Sequence, residues 1–153
     1  MSLLESKLDD MGILVPDAPV PAGSYLPYRI CGNILYLSGM LCFRDGELTH
    51  TGPVGEDQTV ESGYEAARIS AINSLAAIRS ALGEFDRVVQ FLHVNGYVNA
   101  VPGFTESPNV INGASNLFAE LYGKIGKHSR AVVSVSGLPL NSTVEIQVTA
   151  SFR

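Results

Sequence analysis

The chain has 153 residues, enough for one domain that buries roughly two thirds of its unfolded surface without disulfide bonds. Apolar residues make up 46% of the sequence and charged residues 16%, which favours a packed globule over disorder and leaves apolar surface for subunit contacts. The net charge of −5, with no stripe of basic residues, argues against broad attraction to nucleic-acid phosphates.

The sequence contains no signal for a membrane or a metal. No charged start leads into an apolar segment, and no apolar run reaches the roughly 18 residues of a membrane span. We therefore expect a cytoplasmic protein without a membrane partner. Cys31 and Cys42 lack the spacing of metal ligands and are interpreted as inert thiols. No metal and no cofactor is expected, since no metal or nucleotide motif is present.

The first 22 residues are rich in proline and acidic residues. Pro16, Pro19 and Pro21 exclude a regular helix or a central strand around them. We expect an N-terminal arm over residues 1–22, draped on a single domain that comprises residues 23–153.

Two tight turns are predicted in the first third of the chain. Gly32 and Asn33 separate two β-rich runs, and Asp45 and Gly46 separate two more. Glycine, asparagine and aspartate are the residues that such hairpin turns favour. The segment is therefore predicted to be an antiparallel meander with strands at 28–31, 34–38, 41–44 and 47–51.

The middle of the chain predicts a long helix. Apolar residues recur at intervals of three and four from Val60 to Leu82, which is the period of an amphipathic helix. Thr59 is suited to cap its start, and Gly83 is suited to end it in a left-handed conformation.

A strand and a second helix are predicted to follow. Residues 87–98 are apolar on both faces, as in a central strand, and His93 within it is interpreted as a hydrogen-bonded structural residue. The loop at 99–108 is longer than a simple connection and is a candidate lid or rim. The apolar period from Val110 to Leu121 predicts the second helix. His50 and His128 receive no role.

The end of the chain reads as two strands joined by a turn at 137–141. On the second strand, Val144, Ile146 and Val148 alternate with polar residues, so that Glu145 should point away from the core. Arg130 lies at the start of the preceding strand, just before its apolar residues. The arginine and the glutamate are interpreted either as a structural ion pair or as a site for an anionic ligand.

The element order predicts an α+β fold with two helices on one face of an antiparallel-rich sheet. The chain also resembles a known family. Arg130, the Leu138–Pro139 pair and the run Val144–Glu145–Ile146 are similar to the C-terminal signature of the RidA (YjgF/YER057c/UK114) family. Tyr25, Leu37–Ser38–Gly39 and Asn112 extend the likeness upstream. The GSY at 23–25 and VINGAS at 110–115 resemble its longer subgroup.

The resemblance implies a chorismate-mutase-like fold and a homotrimer. In RidA-like proteins three sheets pack into a central barrel, with ligand clefts between neighbouring subunits. Arg130 and Glu145 would then both point away from the helices and line such a cleft. The implied activity is hydrolysis of a reactive 2-imino acid or enamine to a 2-oxo acid and ammonia.

The resemblance also implies a role for each residue of the site. Arg130 matches the arginine that holds the substrate carboxylate, and Glu145 matches the acid that positions or activates water. Tyr25 and Asn112 match residues that shape the cleft, and the backbone of Ser38 and Gly39 approaches the ligand. Val132 stands where studied members carry cysteine, at a contact expected through the backbone.

Two other functions remain open from the sequence. One is a non-catalytic protein that binds small carboxylates and acts as a sensor or regulator. The other is the L-PSP-like endoribonuclease activity with which some relatives are labelled. The acidic balance of the chain makes this last function the least favoured.

Overall fold

One main sheet, one short two-stranded ladder and three helices account for the regular structure in a computed structural model of residues 1–153. The helices are α1 (Leu3–Asp10), α2 (Val60–Leu82) and α3 (Ser107–Tyr122). The strands are β1 (Tyr28–Cys31), β2 (Ile34–Leu37), β3 (Met40–Leu41), β4 (Phe43–Arg44), β5 (Glu47–Leu48), β6 (Val88–Asn99), β7 (Ser129–Val135) and β8 (Val144–Phe152).

The main sheet has the order β1-β2-β8-β6-β7, and β3 also pairs with β8. All of its ladders are antiparallel except β6 with β7, which is parallel. The expected α+β fold with an antiparallel-rich sheet is therefore confirmed, as is the central position of residues 87–98. The last two strands of the chain are not neighbours, however, because β6 lies between them.

The first hairpin of the predicted meander is confirmed, and Cys31 pairs with Ile34 across its turn. β3 does not continue the meander, because it pairs with β8 beyond the stretch that β2 occupies. Leu35 faces Ala150, whereas Met40 faces Ile146. The second predicted hairpin exists, but β4 and β5 form a separate two-stranded sheet.

The core lies between the sheet and helices α2 and α3. Along β8 the alternate residues Val144, Ile146 and Val148 are fully buried, and Glu145 between them is only half-buried. Glu145 therefore lies on the face of the sheet away from the helices, which confirms its predicted orientation.

The long helix α2 begins and ends where its sequence predicts. The Thr59 side chain accepts a hydrogen bond from the backbone of Ser62, and Gly83 adopts a φ of 81° at the other end. No helix of the protein combines the length and the apolar character that crossing a membrane requires.

The N-terminal helix α1 was not predicted. The prolines that exclude helix begin only at Pro16, and Ser2 with Glu5 forms a capping box ahead of them. The arm packs on the domain, because Leu4 and Leu8 join the hydrophobic core and Arg79 donates to the Val15 carbonyl oxygen over 3.0 Å.

Helices α2 and α3 approach so closely that one helical position is restricted to glycine. A Cβ atom at Gly113 of α3 would overlap the carbonyl oxygen of Tyr64 on α2. Neither backbone can move without shifting the whole helix, and α3 in turn packs on β7. The close contact thus fixes the position of α3 relative to the edge of the sheet.

The Gly113→Ala variant tests this contact. Helix propensity alone predicts that alanine stabilises the protein by up to about 1 kcal/mol, whereas overpacking predicts destabilisation by about 1–3 kcal/mol. We expect destabilisation, measured by chemical denaturation. The control is Gly63→Ala, where the new Cβ meets the Val110 side chain at 3.0 Å and should cost less. A stabilised Gly113→Ala protein would contradict the described packing.

Candidate functional site

The carboxyl group of Glu145 lies beside a glycine that leaves room for it. Leu41 of β3 and Tyr97 of β6 flank Glu145 in the sheet. A Cβ atom at Gly39 would stand 2.5 Å from Oε1 of Glu145, well inside van der Waals contact. The Glu145 carboxyl group can therefore lie this close to the backbone only because residue 39 has no side chain.

The environment of Glu145 disfavours its charge. Burial raises the pKa of this carboxyl group above its ordinary value, and no cation opposes the effect. The one ion pair of the chain joins Arg68 to Glu120 elsewhere. Of the two interpretations of Arg130 and Glu145, the structural ion pair is wrong within the subunit, because no such pair forms. A carboxyl group in such surroundings takes up a proton more readily than an exposed glutamate does.

Ser38 directly precedes Gly39 and is hydrogen-bonded to the segment that contains Tyr25. The Ser38 hydroxyl donates to the Leu26 carbonyl oxygen over 2.6 Å, which ties the strand connection to the segment that contains Tyr25. The Tyr25 side chain is 55% exposed. We refer to Glu145, Gly39, Ser38 and Tyr25 as the glutamate group.

Arg130 lies on the edge strand β7 and faces the helices. It pairs with Val94 of β6, whose side chain is fully buried beneath them. Its Nη1 donates to the Ser115 hydroxyl oxygen over 3.1 Å, and Nη2 donates to the Pro108 carbonyl oxygen over 3.4 Å. Both partners belong to α3. Partial burial lowers the pKa of Arg130, but a guanidinium remains charged at any working pH.

Ser115 also contacts His128, for which no role was predicted from the sequence. His128 Nε2 lies 2.9 Å from the Ser115 oxygen, and Nδ1 lies 2.9 Å from the Gly126 carbonyl oxygen. Burial lowers the pKa of this histidine, and the nearby charge of Arg130 acts in the same direction. Only the fold brings the three residues together, since Ser115 is on α3 and the other two flank the start of β7.

Asn112 and Val132 complete this side of the site. Asn112 is four residues after Pro108 and three before Ser115 on α3, so that it shares their helix face. Val132 follows Arg130 by two residues on β7, and therefore points to the same side of the sheet, where it packs partly on the core. We refer to Arg130, Ser115, His128, Asn112 and Val132 as the arginine group.

The loop before α3 forms a fixed rim beside the arginine group. Val101 donates to the Val54 carbonyl oxygen over 3.1 Å, and the Ser134 hydroxyl donates to the Phe104 carbonyl oxygen over 3.2 Å. The Phe104 side chain packs partly against the core. Of the two predicted roles, lid or rim, these tethers favour the rim.

The two groups lie apart in one subunit. Arg130 is opposite Val94 and Glu145 is opposite Tyr97 on the intervening strand. Three residues along the strands and two strand spacings across them separate the two backbones by roughly 14 Å. The expectation that both side chains point away from the helices is wrong for Arg130, because the register of β7 on β6 turns it toward α3. One subunit therefore cannot hold one small ligand between the arginine and the glutamate.

A family model and a related protein both match this chain over most of its length. The family model described as "YjgF/chorismate_mutase-like, putative endoribonuclease" matches residues 5–152. Protein TCP17 of Trypanosoma cruzi is 38% identical over 142 residues, which is 92% of this chain and 89% of that protein.

Two solved structures are similar over nearly the full chain. The protein Atu1372 of Agrobacterium tumefaciens, whose function is unknown, is 40% identical with a TM-score of 0.92, covering 98% of this chain and 92% of its own. A Shewanella oneidensis protein, called a putative endoribonuclease, is 34% identical with a TM-score of 0.95, covering 99% and 100%.

A more distant structure shares the fold. Escherichia coli TdcF, solved with bound serine, is 18% identical with a TM-score of 0.66, covering 89% of this chain and 94% of its own.

The Gly39→Ala variant tests the space beside Glu145. The new methyl group would collide with the carboxylate, which can move away at little cost because it ends a flexible side chain. We expect a folded protein in which the glutamate is displaced, so that ligand binding is weakened while the melting temperature changes little. Gly137→Ala, where nothing lies within 4 Å of the new Cβ, is the matched control. Equal ligand binding by both variants would show that the space beside Glu145 has no role in binding.

Proposed function

Because the chain belongs to the YjgF/chorismate mutase-like family, we propose that it hydrolyses 2-imino acids, or the enamines in exchange with them, to 2-oxo acids and ammonia. The observation that carries the proposal is the chemistry of the two groups. One offers a guanidinium with free donors, and the other offers a half-buried carboxyl group without a cationic partner.

Arg130 is suited to hold the carboxylate of the substrate. A guanidinium has five N–H donors in a planar fork, of which two are used for Ser115 and Pro108. The remaining three can form paired hydrogen bonds to a carboxylate, which a lysine could not match in geometry. Asn112 and Val132 flank this position and would shape the cleft around the ligand.

Glu145 is suited to activate water. In the proposed reaction its carboxylate takes a proton from water as the oxygen bonds to the C=N carbon, and the π electrons move to nitrogen. The proton then passes to nitrogen, which gives an NH2 group. The hydroxyl proton follows it to nitrogen by way of the Glu145 carboxylate as the C=O group forms and the C–N bond breaks, so that ammonia leaves. The carbon is already electrophilic, so that orientation and modest general-base help suffice.

The proposal requires a second copy of the chain. We place the arginine group of one subunit against the glutamate group of its neighbour in a homotrimer, because the two groups of one subunit face opposite ways. Exposed apolar side chains on the sheet face away from the helices support this arrangement: Tyr36 is 48% exposed and Val133 is 50% exposed. A neighbouring sheet would cover them.

The distant relative with bound serine is consistent with a small amino-acid-like ligand. Two other functions remain as alternatives: a protein that binds carboxylates without turnover, and one that cleaves RNA. Each would be recognised by a different result. Binding of a 2-oxo acid with no effect on imine lifetime would select the first. RNA cleavage lost on replacement of Arg130 and Glu145 would select the second.

Replacement of Arg130 tests the carboxylate contact. With an imine generated in situ by an amino-acid oxidase, Arg130→Ala should raise KM about 10- to 100-fold, since hydrogen bonds to a charged group are lost. Arg130→Lys should recover part of the loss. The control is Arg153→Ala, which removes the same charge at the exposed end of the chain. Equal rates of 2-oxo acid formation by wild type and Arg130→Ala would refute the proposal.

The pH dependence tests the role of Glu145. The base must be ionised, and burial raises the pKa of its carboxyl group. The rate should therefore fall as the pH decreases through a value above the ordinary range of glutamate. Glu145→Gln should lower kcat and abolish this limb of the profile. An unchanged acid limb in the variant would assign the titration to another group.

A further inference from the structure

We propose that Ser115 and His128 are positioning residues that hold the Arg130 guanidinium ready for its ligand; the identity of that ligand rests on the proposed function. Arg130 is on an edge strand, where a long side chain has many rotamers. Ser115 is the side-chain partner of the guanidinium, and the orientation of its hydroxyl group is set in turn by His128.

The direction of each hydrogen bond follows from the Gly126 carbonyl oxygen, which can only accept. His128 Nδ1 therefore carries the proton and donates to Gly126 over 2.9 Å. In the neutral ring Nε2 then accepts the single proton of the Ser115 hydroxyl. The lone pairs of that oxygen remain free for Arg130, which donates to it over 3.1 Å.

The surroundings of His128 keep this arrangement fixed. The Phe118 ring meets the imidazole edge to face, with 6.0 Å between ring centroids. Burial lowers the pKa of His128, the hydrogen bond to Gly126 raises it by less, and the charge of Arg130 lowers it further. The net decrease favours the neutral ring that the chain of hydrogen bonds requires. A protonated ring would turn Nε2 into a donor and place a second cation beside the guanidinium.

The arrangement also decides which donors of Arg130 face a ligand. The bonds to Ser115 and to the Pro108 carbonyl oxygen both run toward α3. The remaining N–H groups are thereby left for a ligand, with the side chain already ordered. An ordered side chain loses less conformational entropy when it binds, so the pair should contribute to affinity and not to the chemical step.

Two substitutions of His128 separate the two hydrogen bonds of its ring. In His128→Asn the side-chain amide can still donate to Gly126 but no longer reaches Ser115. His128→Gln can place an acceptor near the former Nε2 and restore the contact with Ser115. Ser115→Ala removes the hydroxyl group between His128 and Arg130 and leaves the imidazole ring in place. This variant still tests the inference if the His128 variants are unstable. Asn116→Ala is the control, since Asn116 donates to the Tyr64 hydroxyl instead.

The measurements are the Kd of pyruvate by calorimetry, and KM and kcat with an imine generated in situ. Ser115→Ala and His128→Asn should raise Kd and KM about three- to tenfold, with kcat little changed. His128→Gln should recover most of the affinity, and Asn116→Ala should behave as wild type.

Two results would overturn the inference. One is unchanged pyruvate binding in both Ser115→Ala and His128→Asn while Arg130→Ala weakens it, an outcome that leaves the proposed function standing. The other is equal loss of affinity in His128→Asn and His128→Gln together with a lowered melting temperature, which would show a structural role alone. If Arg130→Ala also has no effect, the proposed function itself fails.

Discussion

The insertion of β6 between β7 and β8 determines what a single subunit can do. Parallel pairing with β7 turns Arg130 toward the helices, and antiparallel pairing with β8 leaves Glu145 on the opposite face. Each group is then supported by its own side of the sheet: the arginine by α3, the glutamate by the glycine-containing connection from β2 to β3. The two groups therefore stay apart within one subunit, and in the proposed homotrimer they meet across a subunit boundary.

Each half of the site depends on a close approach that only glycine permits. Gly113 lets α3 sit against α2, and α3 provides the partners of Arg130. Gly39 lets the chain pass directly over Glu145. The close approaches that pack the two backbones therefore also determine where Arg130 and Glu145 lie.

Local patterns predicted most of the elements and the two short hairpins, but not the order of strands in the main sheet. The period from Val60 to Leu82 and the alternation along β8 gave the right elements, because burial on one face leaves a direct trace in the sequence. The order and register of the strands depend on contacts distant in the chain, and the orientation of Arg130, which the register of β7 on β6 determines, was therefore predicted wrongly. His128 was missed for the same reason, since its partner Ser115 belongs to another element. The short helix α1 was not predicted, because the prolines that follow it favoured an irregular arm over the whole segment.

The most direct test of a site shared between subunits mixes two variants, each of which lacks one of the two groups. Arg130→Ala and Glu145→Ala chains are unfolded together in equal amounts, refolded, and assayed for imine hydrolysis, with each variant alone and the wild type treated identically. If the arginine of one subunit acts with the glutamate of its neighbour, random assembly restores about one quarter of the clefts, and activity returns to that level. Mixtures that stay as inactive as the separate variants would contradict the account.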